Sequence, residues 1–171
     1  MKTNKMIQSA MLIALTAVGA YLIIPLPFSP VPITLQTFFI LLAGRLLGAK
    51  YAMLSQLGYL ILGAVGLPIF AGGAAGPGIL AGPTGGFLIG FIAMAGLAGI
   101  KTNDKRQSFF ICTAAIITDY IIGCLYFMLL TGNNFLAALT MTIIPFIPGD
   151  IFKITLVIFI APIIKRSLAR H

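Results

Sequence analysis

The sequence predicts an all-α membrane protein, a bundle of six transmembrane helices with both termini cytoplasmic. Three observations predict it. Of 171 residues, 60% are hydrophobic and only 8% charged, against about 25% charged in an ordinary soluble domain. The apolar residues fall into runs near the roughly 20 residues that a helical span requires. The basic residues gather on alternate connections between those runs, the pattern that orients membrane helices. So little polar surface excludes a soluble enzyme, a disordered chain and a nucleic-acid binder. The net charge of +8 marks topology instead.

The expected spans are 7–25, 33–48, 51–70, 84–100, 108–131 and 148–164. They leave a single transmembrane domain over 1–171 with short inner connections. Met1 to Leu15, two lysines and an apolar run, has the outline of a signal peptide and is read as a retained first span. Lys2 and Lys5 precede the first span, and Arg45 and Lys50 separate the second from the third. Lys101, Lys105 and Arg106 separate the fourth from the fifth, and Lys165, Arg166 and Arg170 follow the sixth. These ten lie on one face, which the positive-inside rule makes cytoplasmic. Lys153 is the exception. Cys112 and Cys124, on one predicted helix, lie about 18 Å apart at the helical rise, too far for a disulfide. They read as small hydrophobes.

The outer connections are long and apolar. The first, Pro25 to Pro32, carries four prolines in eight residues and is too stiff for a helix. The second lies within Gly63 to Gly86 and contains Phe70-Ala-Gly-Gly. The third runs from Thr131 to Pro148 and holds Asn133 and Asn134. Three surface loops would be polar, so these read as a lid and a pocket. Irregular backbone at a membrane is tolerated where it is buried in protein or lines a cavity.

An ionisable residue inside the bilayer costs about 2.5–3.5 kcal/mol on the insertion scale, so each one invites a functional reading. Asp104 stands among basic residues in an inner loop and reads as solvated. Asp119 sits midway along the fifth span. It is either protonated, hydrogen-bonded to Tyr120 or a facing span, or open to a watery pocket. Asp150 opens the sixth span in Pro145-Phe-Ile-Pro-Gly-Asp-Ile-Phe-Lys153. Asp150 and Lys153 are three apart and share a helical face. One reading is structural: Asp150 caps the helix, and Lys153 snorkels to headgroups or pairs with Asp150. The other is a recognition pair, in which the carboxylate accepts ligand N–H groups and the ammonium holds a ligand anion. His171, the terminal residue, reads as solvated, so the membrane holds no acid–histidine chain for a proton relay.

Gly82-Pro-Thr-Gly-Gly-Phe87 opens the fourth span. Thr84 is a candidate cap. Gly82, Gly86 and Gly90 recur every fourth residue and would let another helix approach closely. Alternatively, the backbone N–H groups at this helix start face a polar ligand. Ala10, Ala14 and Ala17 form a small-residue stripe on the first span, for packing within the chain or for docking a partner helix. Gly99-Ile-Lys-Thr102 falls short of a Walker A motif, and no metal cluster or nucleophile elbow is present. The chain is therefore expected to be no enzyme, to carry no cofactor and not to hydrolyse ATP.

Three motifs, Pro27-Phe-Ser-Pro-Val-Pro-Ile-Thr-Leu-Gln36, Gly82-Pro-Thr-Gly-Gly-Phe-Leu-Ile-Gly90 and Pro145 to Lys153, closely resemble the BioY family. Its members are the biotin-binding S components of energy-coupling-factor (ECF) transporters in prokaryotic cell membranes. The resemblance covers nearly the whole chain in the same order and spacing. It implies a biotin pocket open to the outside, covered by the first and third outer connections. It places Asp150 and Lys153 at the ligand. Gly82, Thr84, Gly85, Gly86 and Phe87 stand beside the pocket, with Gln36, Phe70 and Asp119 as further candidates. Phe87 departs from the tyrosine expected there. The resemblance also implies partners: a transmembrane coupling subunit docked on Ala10 and Ala14, and two ATP-binding cassette ATPases that supply the energy. Asp119 matches no motif of the family. Three rivals compete with biotin uptake: an S component for another vitamin, a stand-alone secondary carrier using Asp119 as its ion site, and an intramembrane enzyme.

Overall fold

The structure is a computed structural model, and it describes residues 2–102 and 104–168. The chain is mostly helical. Six helices of twelve residues or more follow the six predicted segments: α1 (Lys2–Tyr21), α2 (Gln36–Leu47), α3 (Ala49–Ala64), α5 (Gly85–Ala98), α6 (Lys105–Thr131) and α8 (Ile147–Leu168). Two short helices, α4 (Pro77–Leu80) and α7 (Phe135–Thr142), lie in the connections.

Several boundaries follow from local chemistry. At α6, Asp104 caps the start, its carboxylate accepting the backbone N–H of Arg106 at 3.1 Å and of Gln107 at 3.4 Å. This exposed acid thus has a structural task worth about 1 kcal/mol. Gly132 ends α6 in the left-handed region (φ 69°), where glycine carries no Cβ penalty. Gly48 (φ 81°) turns α2 into α3 with no loop. Cys112 and Cys124 lie along α6, free and buried.

Three expectations change. The chain is not purely helical: the proline-rich connection forms an antiparallel hairpin, β1 (Ile23–Leu26) with β2 (Ser29–Thr34). A two-stranded ribbon consists of edges, where proline's missing N–H leaves no ladder bond unmade. The first helix accordingly stops at Tyr21, short of residue 25. Second, the Gly63–Gly86 connection folds into a 3₁₀ turn at Ala71–Gly73 and into α4. Third, the Thr131–Pro148 connection contains α7, whose start is capped by Asn134 accepting the N–H of Ala137 at 2.8 Å.

Among the described residues, α6 and α8 are long and apolar enough to cross a membrane by length and composition. Helices α2 and α5, at 12 and 14 residues, are shorter than a lone span. They are also the inner helices. α2 packs on α1, α3, α5 and α8, and α5 packs on α2, α3 and α6. Such positions admit little bulk. A Cβ on Gly44 of α2 would lie 2.7 Å from the carbonyl carbon of Ala98 in α5, and one on Gly86 of α5 would lie 3.1 Å from the Cα of Gly123 in α6. Gly82 stands outside α5 in the preceding turn, so only Gly86 and Gly90 of the predicted stripe serve this contact. Backbone-close packing of this kind is how membrane helices associate.

The basic residues converge at one end. Lys5, Arg45, Lys101 and Lys165 line one crevice there, and Lys105 and Arg166 line a second with Arg45. Arg45 donates to the carbonyls of Ile100 (2.7 Å) and Thr102 (3.0 Å) and to Ser108 Oγ (3.1 Å), clasping the α5–α6 connection. Arg170 and His171 lie outside the described residues. The hairpin, the 3₁₀ turn, α4 and α7 occupy the opposite end.

Candidate functional site

Beneath the hairpin lies a cavity of about 250 Å³, near the lower end of the range for small-molecule sites. All three connections at the hairpin end wall it. The hairpin gives Pro30, Val31, Pro32 and Thr34, and the second connection Phe70, Ala71 and Ile79. The third gives Thr142 and Phe146, and the floor comes from α2, α5, α6 and α8. The predicted lid therefore includes the second connection as well as the first and third.

Asp150 does not cap a helix. Helix α8 begins at Ile147, which carries Asp150 into the first turn with its side chain turned inward and 4% exposed. Its Oδ1 accepts Lys153 Nζ at 2.7 Å and Thr37 Oγ1 at 3.1 Å, and its Oδ2 accepts the hydroxyl of Tyr120. Lys153 is 6% exposed and does not snorkel. It donates a second proton to Thr37 Oγ1 at 2.9 Å, and one of its three donors is left over. Helices α2, α6 and α8 thus meet in one buried polar knot at the cavity wall.

Gln36 and Phe70 are held by a second cluster. Gln36 Nε2 donates to Tyr59 O–H at 2.7 Å, and that hydroxyl donates to the carbonyl of Ile69, also at 2.7 Å. The Tyr59 and Phe70 rings meet edge to face with centroids 5.6 Å apart. With its amide nitrogen engaged, Gln36 has its carbonyl oxygen left for the cavity. Phe70 is fully buried on Gly63, where a Cβ would collide with the ring.

The predicted residues divide. Gln36, Phe70, Thr84, Phe87, Asp119, Asp150 and Lys153 line the cavity. Gly82, Gly85 and Gly86 do not; they pack on the carbonyls of Gly78 and Ile79, on the backbone of Leu80 and on Tyr126 respectively. Thr84 precedes α5 but makes no side-chain cap bond. Phe87 packs on Gly123. Asp119 is not bonded to Tyr120, because consecutive helix residues point about 100° apart and Tyr120 reaches α8 instead. Ala10 and Ala14 are uncovered by the rest of the chain. Thr37 and Tyr120, both in the knot, carry no signal in the sequence: they stand beside the candidates Gln36 and Asp119, and only the tertiary contact with Asp150 distinguishes them.

A wall of apolar and aromatic side chains with a few convergent polar groups suits a small ligand of mixed polarity. The BioY family model matches residues 1–170. This chain belongs to the BioY family. It is 38% identical to the "Probable biotin transporter BioY" of Pyrococcus horikoshii, covering 94% of this chain and 96% of that protein. It is 36% identical to the "Biotin transporter BioY" of Thermotoga maritima, covering 95% and 96%. Its fold matches the crystal structure of the S-component for biotin from an ECF-type ABC transporter with a TM-score of 0.88 at 29% identity, covering 99% of this chain and 93% of that one. The chain is thus a membrane transporter component of the BioY family and not an enzyme.

Proposed function

We propose that this chain is the biotin-capturing S component of an ECF importer in a prokaryotic cell membrane. The observation that carries this reading is the Asp150–Lys153–Thr37–Tyr120 knot beside a mostly apolar cavity, in a chain of the BioY family. Biotin has matching parts: a ureido ring with N–H donors and a carbonyl, an apolar thiolane and valeryl chain, and an anionic carboxylate. Lys153 supplies positive charge and a spare donor.

The six longer helices act as six spans, with the basic end in the cytoplasm and the cavity open to the outside. Inner helices shorter than the bilayer core are tolerated because neighbouring protein covers their ends. The hairpin and the two other outer connections close over captured biotin. A coupling subunit docks on the Ala10–Ala14 face of α1, and two ATPases reorient the loaded chain. The exposure of both alanines beside Met6, Ile7, Met11 and Val18 supports a face that something else covers.

Two measurements test this reading. Cells lacking their own biotin uptake should accumulate labelled biotin when this chain is produced with a coupling subunit and both ATPases. Equal uptake by this chain alone in liposomes would refute the dependence on partners. In the same cells, Ala10→Trp/Ala14→Trp should lose most uptake and co-purification with the coupling subunit, while detergent-purified protein binds biotin as before. Unchanged uptake would remove the docking assignment.

A further inference from the structure

We propose that the basic end of the molecule holds a seat for the headgroup of an anionic phospholipid, in the crevice walled by α2, α6 and α8. The inference goes beyond biotin capture and uses only the orientation given above. Two crevices open at that end. One, of about 460 Å³, is lined by Arg45, Lys105, Lys165 and Arg166, and the other, of about 350 Å³, by Lys5, Arg45, Lys101 and Lys165. They share Arg45, Thr102 and Lys165 and so adjoin.

Membrane topology alone does not need this arrangement. It requires only that lysine and arginine stay on one side. Lys50 and Arg106 meet that requirement from exposed positions that line neither crevice. The six others converge from α1, α2, the α5–α6 connection, α6 and α8, and no carboxylate answers them. The chain has three acids. Asp119 and Asp150 line the cavity at the opposite end. Asp104 accepts the N–H groups that cap α6 and lines neither crevice. Among the described residues the one ion pair is Lys153–Asp150. Like charges gathered in a cleft repel one another and concentrate anions there. Arg45 is also held in place: its bonds to the carbonyls of Ile100 and Thr102 fix the guanidinium without neutralising it.

The walls say which anion. A free phosphate is best held by polar groups on every side. Here Val157, Ile158, Ala161 and Pro162 of α8 make one side apolar, and Phe159 and Ile163 on the same helix are exposed at 56% and 67%. Lys105 Nζ stands 4.8 Å from the centre of the Phe159 ring, a cation beside an aromatic group, as where headgroups meet acyl chains. Charge within and an apolar flank beside it suit a phosphodiester that carries acyl chains, and the cytoplasmic leaflet supplies anionic lipid. Helices α2, α6 and α8 are those that the Asp150 knot ties together at the other end. A bound headgroup therefore braces the frame of the binding site from the opposite end.

The test uses full-length protein in neutral detergent, titrated with dioleoyl phosphatidylglycerol, with phosphatidylcholine of the same chains and with inorganic phosphate. Native mass spectrometry reads bound lipid, and thermal unfolding reads stabilisation. Wild type should retain phosphatidylglycerol in preference to phosphatidylcholine and melt higher in its presence. Lys105→Gln/Lys165→Gln should bind phosphatidylglycerol about 30-fold more weakly, roughly fivefold for each lost cation. Lys50→Gln/Arg106→Gln removes the same charge from the same end and should change that affinity by less than about threefold, since charges outside the crevices are screened. All three proteins should bind biotin alike, which separates a failure here from a failure of the biotin reading. Equal weakening in the two double variants overturns the site in favour of diffuse charge, and equal binding of the two lipids by wild type removes it. Displacement of phosphatidylglycerol by millimolar inorganic phosphate makes it a free-anion site and overturns the lipid assignment. So does a crevice variant that keeps its lipid but no longer co-purifies with the coupling subunit, because the crevice would then belong to that partner.

Discussion

Lys153→Ala should lose measurable biotin binding and about 3–5 kcal/mol of stability, the cost of removing one partner from a buried ion pair. Asp150 would remain 4% exposed with only the neutral hydroxyls of Thr37 and Tyr120 on its oxygens. The effect belongs to the pair, so Asp150→Leu/Lys153→Met should recover much of the stability, because no charge stays buried alone. That double variant should still fail to bind biotin. Thermal unfolding and biotin titration of the single and double variants read both quantities. A Lys153→Ala protein that binds biotin as tightly as wild type would show that the ammonium has no part in the site.

Gly86→Val should cost about 3 kcal/mol, the upper end for overpacking, and should sharply reduce the yield of monodisperse protein. The α5–α6 contact is the most extensive in the molecule. A Cβ at Gly86 enters the Tyr126 side chain and lies 3.1 Å from the Cα of Gly123, and backbone cannot rotate out of the way. Tyr126 in turn donates to the carbonyl of Leu80 at 2.9 Å, so the second outer connection would shift with it. Gly78→Ala is the matched control: nothing lies within 4 Å of its Cβ, and its melting temperature should stay within a degree or two of wild type. Equal stability of the two variants would mean that α5 and α6 do not pack as described.

The two variants probe parts of the molecule that differ in how far sequence revealed them. Helices α1, α2, α3, α5, α6 and α8 were legible because a membrane imposes long apolar runs and a one-sided basic bias. Both survive in sequence whatever the packing. The hairpin was not legible. Four prolines in eight residues excluded a helix, but proline does not advertise a strand, and Ile23, Ile24 and Leu26 show no alternation of polar and apolar residues. Helix α7 was hidden for a related reason: Asn134 is a fair cap signal, but eight residues are too few for a clear helical period.

At the site, Asp150 and Lys153 were visible as charges in an apolar helix at a spacing that lets them meet. Which way they face was not, because Pro148-Gly149-Asp150 suits a helix cap equally well. Only the start of α8 at Ile147 removes that reading. Thr37 and Tyr120 carry no signal of their own, since a hydroxyl in a membrane helix ordinarily bonds back to its own turn. Gly82, Gly85 and Gly86 show the converse: a motif read as ligand-facing shapes the turn and the α5–α6 packing that place Thr84 and Phe87 on the cavity.

Calorimetric titration of detergent-purified, ligand-free protein with biotin tests the central claim most directly, with biotin methyl ester, thiamine and riboflavin as comparisons. The account predicts tight one-to-one binding of biotin, weaker binding of the methyl ester if Lys153 meets the carboxylate, and none of the other two vitamins. Folded protein that takes up no biotin, or that binds thiamine or riboflavin in its place, would contradict it.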